Sequence, residues 1–211
     1  MSHPRQQQHR YLVIAAALAI ACLVLLAVAG TMAKRHQSNA LIWATLIIAA
    51  CAGGLARQGY LRAHRYRVGA NSEDSVRRRL RALQATGWHV RHGVPSAWGG
   101  DIDHLATSPD GLLTAVIETK TRSYSDAHLA KLRIQRLGIS RQLEPGCLCA
   151  PVLCLVAAQG VHRYEGETVV VSADALCAAL ELLHEEAIRF QRLGSPVLFA
   201  GPRGAMSGHP R

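Results

Sequence analysis

Residues 99–120 read GGDIDHLATSPDGLLTAVIETK, and their interpretation decides what the rest of the chain has to be. Asp110-Gly111 is a strong short-range hairpin signal between two largely apolar runs, so 101–107 and 112–119 read as paired strands. With Asp110 and Gly111 as the two turn residues, paired positions sum to 221. A four-residue turn keeps that register, whereas three or five residues break it. Asp103 then falls opposite Glu118, and Asp101 opposite Lys120. Strand alternation sends these four side chains to one face, and Ile102, His104, Ala106, Leu113, Ala115 and Ile117 to the other.

Directly opposed carboxylates destabilise a sheet unless something compensates them. A hard divalent cation, Mg²⁺ or Mn²⁺, would do so through carboxylate oxygens, and would polarise a phosphate oxygen and acidify a bound water. Lys120 would then orient that water or stabilise charge developing on phosphorus. The competing reading makes Asp101 and Lys120 a cross-strand ion pair and leaves Asp103 and Glu118 on a solvated face. Against it, Leu105, Leu112 and Val116 share that face, so the acids interrupt an apolar stripe near its end, as at a cleft edge.

Upstream of the hairpin the chain changes character. Residues 11–33 hold no charge and are long enough to span a hydrocarbon core, and a second uncharged run follows at 40–56, with Gly53 and Gly54 weakening its end. This predicts two membrane helices joined by a short external loop, 34–39. A cleavable signal peptide ending near Ala27-Val28-Ala29 is the alternative for the first run. Arg5 and Arg10 precede the first helix and Arg57, Arg62, Arg65 and Arg67 follow the second. Both outer ends are therefore expected in the cytoplasm, with 1–10 as a cytoplasmic N-terminus and the chain in the inner membrane.

Segment 1–56 contains four of the 24 basic residues and none of the 14 acids, which leaves the remainder with a net of six positive charges. That balance suits an anionic partner, nucleic acid or the lipid surface beside the basic linker 57–70, although topology signalling also accounts for the linker arginines. Cys147, Cys149 and Cys154 lack zinc-ligand spacing and read as structural thiols in a reducing compartment.

The rest of the chain predicts a mixed α/β domain over 71–193. A helix capped by Asn71 or Ser72 carries Val76, Leu80 and Leu83 at helical spacing, and a strand follows at 88–94. After the hairpin come an amphipathic helix at 127–143, a fully buried strand at 151–158, a strand at 167–172 and a helix near 173–191 introduced by Ser172. The tail, 194–211, is rich in Gly and Pro and is expected to be flexible.

Asp103 followed by Glu118-x-Lys120 after a short hairpin resembles the active-site signature of the PD-(D/E)xK restriction-endonuclease-like nucleases. SEDSVRRRL (72–80), the 101–121 stretch and VVVSADALCAAL (169–180) look more closely like a nuclease-related domain of the NERD type, over roughly residues 70–182. The resemblance implies a restriction-endonuclease-like core of helix, three strands, helix and strand, and a Mg²⁺- or Mn²⁺-dependent nuclease acting on DNA. By position it makes Asp103 and Glu118 metal ligands and Lys120 the catalytic lysine, with Glu73 in the first helix joining the metal site. The family commonly has Gly before that acid, where this chain has Ser72, and Glu73 also reads as a first-turn acid stabilising a helix dipole. Gln135 matches a polar helper position in related nucleases, although a solvated helix residue is the preferred reading. Asp101 would support the site or pair with Lys120, while His104 reads as a core histidine. Arg77, Arg78 and Arg81 would reach a phosphate backbone or form a solvated face. A binding or adaptor module of the same fold that cleaves weakly is the alternative function.

Overall fold

The computed structural model describes residues 3–35, 39–97 and 100–193; the expected flexible tail and parts of the loops at 34–39 and 95–100 lie outside these. The chain divides into two units, Met1–Asn71 and Ser72–Arg211.

The first unit is made of α1 (His3–Lys34) and the leading part of α2 (Asn39–Ala85). Both helices are long and apolar enough to cross a membrane. Ile20, Leu23, Val24, Trp43, Ile47 and Ile48 stand exposed on their outer faces, an apolar surface suited to lipid contact. Small residues let the helices pack. A Cβ placed on Gly59 would meet Ala15 Cβ at 3.2 Å, and one on Gly53 would meet Cys22 Sγ at 3.5 Å.

The second helix does not stop near Gly53-Gly54, and no new helix begins at Asn71 or Ser72. α2 continues to Ala85 because residues 57–70 contain no proline and several strong helix formers. Ser72 does not cap: it is buried, with its Oγ 3.0 Å from Thr121 Oγ1. Glu73 therefore sits in a helix interior, which removes the first-turn dipole explanation for its presence.

The second unit is a six-stranded mixed sheet in the order β1-β2-β3-β4-β6-β5. Its strands are β1 (His89–Val94), β2 (Ile102–Thr107), β3 (Leu113–Lys120), β4 (Leu148–Leu155), β5 (His162–Glu165) and β6 (Thr168–Ser172). β1, β2 and β3 pair antiparallel, β3, β4 and β6 run parallel, and β5 returns antiparallel on β6. α3 (Asp126–Ser140) links β3 to β4, and α4 (Leu176–Leu193) follows β6.

The hairpin register is as the turn chemistry implies: His104 pairs Ile117 and Thr107 pairs Thr114. The connection is the four-residue form, Pro109 to Leu112, which preserves the same alignment. Gly111 N–H donates to Ser108 O at 3.0 Å, and Gly111 takes φ +74°, where glycine avoids the Cβ clash. Asp110 accepts from Ser108 Oγ at 2.6 Å and from the Leu112 N–H at 3.1 Å, which ties the turn down.

Two cores follow from the alternation. Ala106, Leu113, Ala115 and Ile117 pack with Val76, Leu80 and Leu83 of α2 and Leu176, Leu180 and Leu183 of α4. Leu105, Val116 and Leu153 pack with Leu129 and Leu132 of α3 on the opposite face. Ile102 departs from its expected face and joins the α3 core at the start of β2.

Other boundaries move for local reasons. β4 begins at Leu148 and includes Pro151, which lies one residue before β6 starts to pair at Val152, so among the described residues that side of β4 needs no N–H from Pro151. β5 was not expected, because HRYE lacks apolar alternation; Gly166 at φ +62° turns it into β6. α4 starts at Leu176, and Ser172 ends β6, its Oγ accepting the Val161 N–H at 3.0 Å.

Candidate active site

The acids of the hairpin gather near the carboxyl end of β3, beside the parallel strand β4, where open α/β sheets commonly bind ligands. Glu118 is almost wholly buried, at 3% exposed. Two ammonium groups neutralise it: Lys120 Nζ lies 2.7 Å from Oε1, and Lys131 Nζ, arriving from α3, lies 3.2 Å from Oε2. Asp103 is half-buried and accepts the Thr119 N–H at 2.7 Å through Oδ2. The observed register extends to put it across from Glu118.

Burial, then the neighbouring Glu118 charge, pushes the Asp103 carboxyl up to about 7, against the Thr119 N–H and Lys120, which pull it down. Glu73 contributes to that rise from α2. Its own carboxyl is raised, chiefly by burial, with Arg77 opposing and Asp74 and Glu118 adding. The Glu118 charge thus bears on both Asp103 and Glu73, although the three acids come from three elements.

Lys120 pairs with Glu118 rather than with Asp101, whose side chain is exposed. The Asp101 backbone is nonetheless held: Gln135 Nε2 donates to its carbonyl at 3.3 Å and to that of Gly100 at 3.2 Å. Gln135 is fully buried, which overturns the solvated-helix reading, and its Oε1 has no hydrogen-bond partner among the described residues. Arg77 is half-buried, with Nη1 3.9 Å from Asp74, whereas Arg78 and Arg81 are exposed. Lys131 escaped sequence reasoning altogether. Its one available signal was its position four residues before Gln135, on the same side of α3.

The loop after Lys120 is clasped at its far end. Tyr124 donates to Glu165 of β5, and Arg163 Nη2 donates to the Tyr124 hydroxyl at 2.6 Å. On β4, Cys149 and Cys154 are buried, and burial pushes both thiols up to about 12, which makes them inert packing residues.

A helix, a three-stranded antiparallel group and a second helix therefore surround an Asp, Glu and Lys at one strand end. Residues 68–142 match the nuclease-related domain, NERD. The NERD match covers the end of α2, β1 to β3 and α3, and stops before β4, so the resemblance read over 70–182 is supported as far as residue 142. Glu73, Asp103, Glu118, Lys120, Lys131 and Gln135 all lie inside the NERD stretch. No curated protein and no solved structure matches the chain.

Proposed function

We propose that this chain is a membrane-anchored, metal-dependent nuclease that hydrolyses phosphodiester bonds, with DNA as its substrate. The observation that carries the reading is the convergence of Asp103, Glu118 and Lys120 at the carboxyl end of β3, within the stretch that matches NERD.

The donors at the site are oxygens, the chemistry that Mg²⁺ and Mn²⁺ select. Among the described residues no three His, Cys, Asp or Glu side chains form a ready-made cage. Mg²⁺ does not need one, since it is commonly held by one or two carboxylates together with water and substrate phosphate. Asp103 and Glu118 would hold the ion, and Glu73 would join them through water or directly. Bound there, the ion would supply Lewis-acid polarisation of a phosphate oxygen and a water of lowered pKa.

The chain's own groups do the rest. Lys120, a quarter exposed at the end of its strand, would orient the attacking water and stabilise charge on the phosphate oxygens. The Thr119 N–H fixes the Asp103 carboxylate in place. Gln135 braces the backbone entering β2, and Arg78 and Arg81 would meet a phosphate backbone from outside. The apolar helices would hold the domain at the inner membrane, facing the cytoplasm by the excess of arginine at that end.

One observation favours a second reading. Glu118 is already neutralised by two lysines, so the fold can stand without a metal and serve as a nucleic-acid-binding or adaptor module. The deciding experiment incubates the detergent-purified chain with circular and linear DNA in Mg²⁺, Mn²⁺ or EDTA, beside Glu118→Ala and Lys120→Ala. Metal-dependent cutting lost in both variants is expected, and cut circles would make it an endonuclease. DNA retention in a gel shift without cutting by the wild type would transfer the conclusion to the binding module.

A further inference from the structure

We infer that the arginine-rich end of the α1–α2 hairpin is a binding site for the phosphate headgroup of an anionic phospholipid, formed by Tyr11, Arg62, Arg65 and Tyr66. The inference rests on the reading of α1 and α2 as membrane-spanning.

These four side chains line one open groove of about 430 Å³ within the first unit. Arg62, Arg65 and Tyr66 share a face of α2 at helical spacing, and Tyr11 faces them from α1. The two tyrosine rings stack, with centroids 5.6 Å apart and planes 9° from parallel. The Arg62 guanidinium carbon lies 6.0 Å from the centre of the Tyr11 ring. The close approach of Gly59 to Ala15 and to the Tyr11 carbonyl holds the two helices in register just above the groove, and Ala63 is buried between the arginines. The groove is thus built by packing rather than by loose surface charge.

Charge leaves the groove open to an external anion. Residues 1–72 contain eight Lys and Arg residues and no Asp or Glu, so this segment supplies no carboxylate to pair with Arg62 or Arg65. Depth selects the partner. Tyr11 is the first residue of the apolar run, and Arg62 lies six residues beyond Ala56. At about 1.5 Å per residue the groove therefore runs from the hydrocarbon edge at Tyr11 outwards to roughly 9 Å beyond it at Arg62, a span that covers the lipid headgroup zone. A guanidinium fork donates to two phosphate oxygens at once, and tyrosine hydroxyls at the interface can donate to the remainder. An ordinary polybasic stem would attract anionic lipid diffusely; this arrangement would hold one headgroup in a fixed geometry.

The test is native mass spectrometry of the full chain released from detergent, titrated with phosphatidylglycerol, phosphatidylcholine or inorganic phosphate. One phosphatidylglycerol per chain, retained in preference to phosphatidylcholine, is expected. Replacing both arginines, Arg62→Gln with Arg65→Gln, should weaken retention about 30-fold. Arg62→Lys with Arg65→Lys keeps the charge but loses the fork, and should recover only part of the loss. Equal retention of the two lipids, an unaffected glutamine variant, or full recovery with lysine would overturn the site. Displacement of the lipid by equimolar inorganic phosphate would overturn the lipid as its occupant. Alkaline carbonate extraction of membranes separates the premise from the inference: release of the chain into the supernatant overturns the membrane reading, whereas a retained chain without lipid preference overturns the site alone.

Discussion

On the α3 face of the β2–β3 hairpin, Asp103 and Glu118 are backed by Lys120 and Lys131; on the opposite face, one residue along the same strand, His104 meets His92. The ring nitrogens Nδ1 of the two histidines lie 2.8 Å apart, and His104 Nε2 is buried with no partner among the described residues. Burial drives each group towards its neutral form: Asp103 rises to about 7 with the Glu118 charge adding to burial, and His104 falls to about 3 with His92 and Arg77 adding to it. The surroundings differ in access. Lys120 and Lys131 are 25% and 33% exposed at their side chains, whereas His104 is sealed at 1%. The same push towards neutrality therefore has unequal uses: an acid with partly exposed amines beside it can exchange those amines for another cation, and a sealed imidazole can only stay neutral.

The two faces should differ most in activity. Glu118→Ala and Lys120→Ala should each reduce DNA cleavage by on the order of 10²–10³-fold, while His104→Leu leaves it unchanged in a nicking assay. An equal loss in His104→Leu would mean that both faces serve the chemistry.

Acid stability should show the next largest effect. The folded-state value of His104 lies below its ordinary 6.5, so its stabilisation is complete above that pH and is lost as pH falls from about 6.5 towards about 3. At 1.36 kcal/mol per pKa unit the ceiling on that loss is about 5 kcal/mol. His104→Leu should flatten the acid limb of a pH series of denaturant unfolding midpoints, and an unchanged limb would relocate the acid sensitivity.

Asp103 has the opposite sign. Its folded value is raised, so its stabilisation is complete below about 3.8 and is lost as pH rises through about 7. In EDTA at pH 8, Asp103→Asn should be more stable than wild type by on the order of 2 kcal/mol, and should abolish cleavage. Mg²⁺ should raise the wild-type melting temperature and leave that of the variant where it was. A wild type indifferent to Mg²⁺ would argue for the binding module.

The smallest effect sharpens the role of the amines. Lys131→Met removes one of two competitors for Glu118, so half-saturation by Mn²⁺ should shift to lower concentration by about fivefold, the equivalent of a partly exposed ion pair worth about 1 kcal/mol. A shift to higher concentration would instead assign Lys131 a supporting part in holding the metal.

The hairpin register, and with it the shared face of Asp103, Glu118 and Lys120, was legible in residues 99–120 alone, because turn length and strand alternation act within about twenty residues. The same local rules misjudged α2, where no proline or effective stop separated the apolar run from the next helix, and passed over β5, whose HRYE carries no apolar alternation and is a strand only because β6 offers an edge. Gln135 looked solvated because helical periodicity does not reveal which loop lies over a helix, and Lys131 stayed invisible because its partner, Glu118, belongs to another element thirteen residues away. Sequence determined which acids would face one another. Tertiary structure decided that α3 would bring a second lysine to one face while α2 and α4 closed the other, since the pairing of half-buried charges depends on how whole elements pack and not on any local pattern.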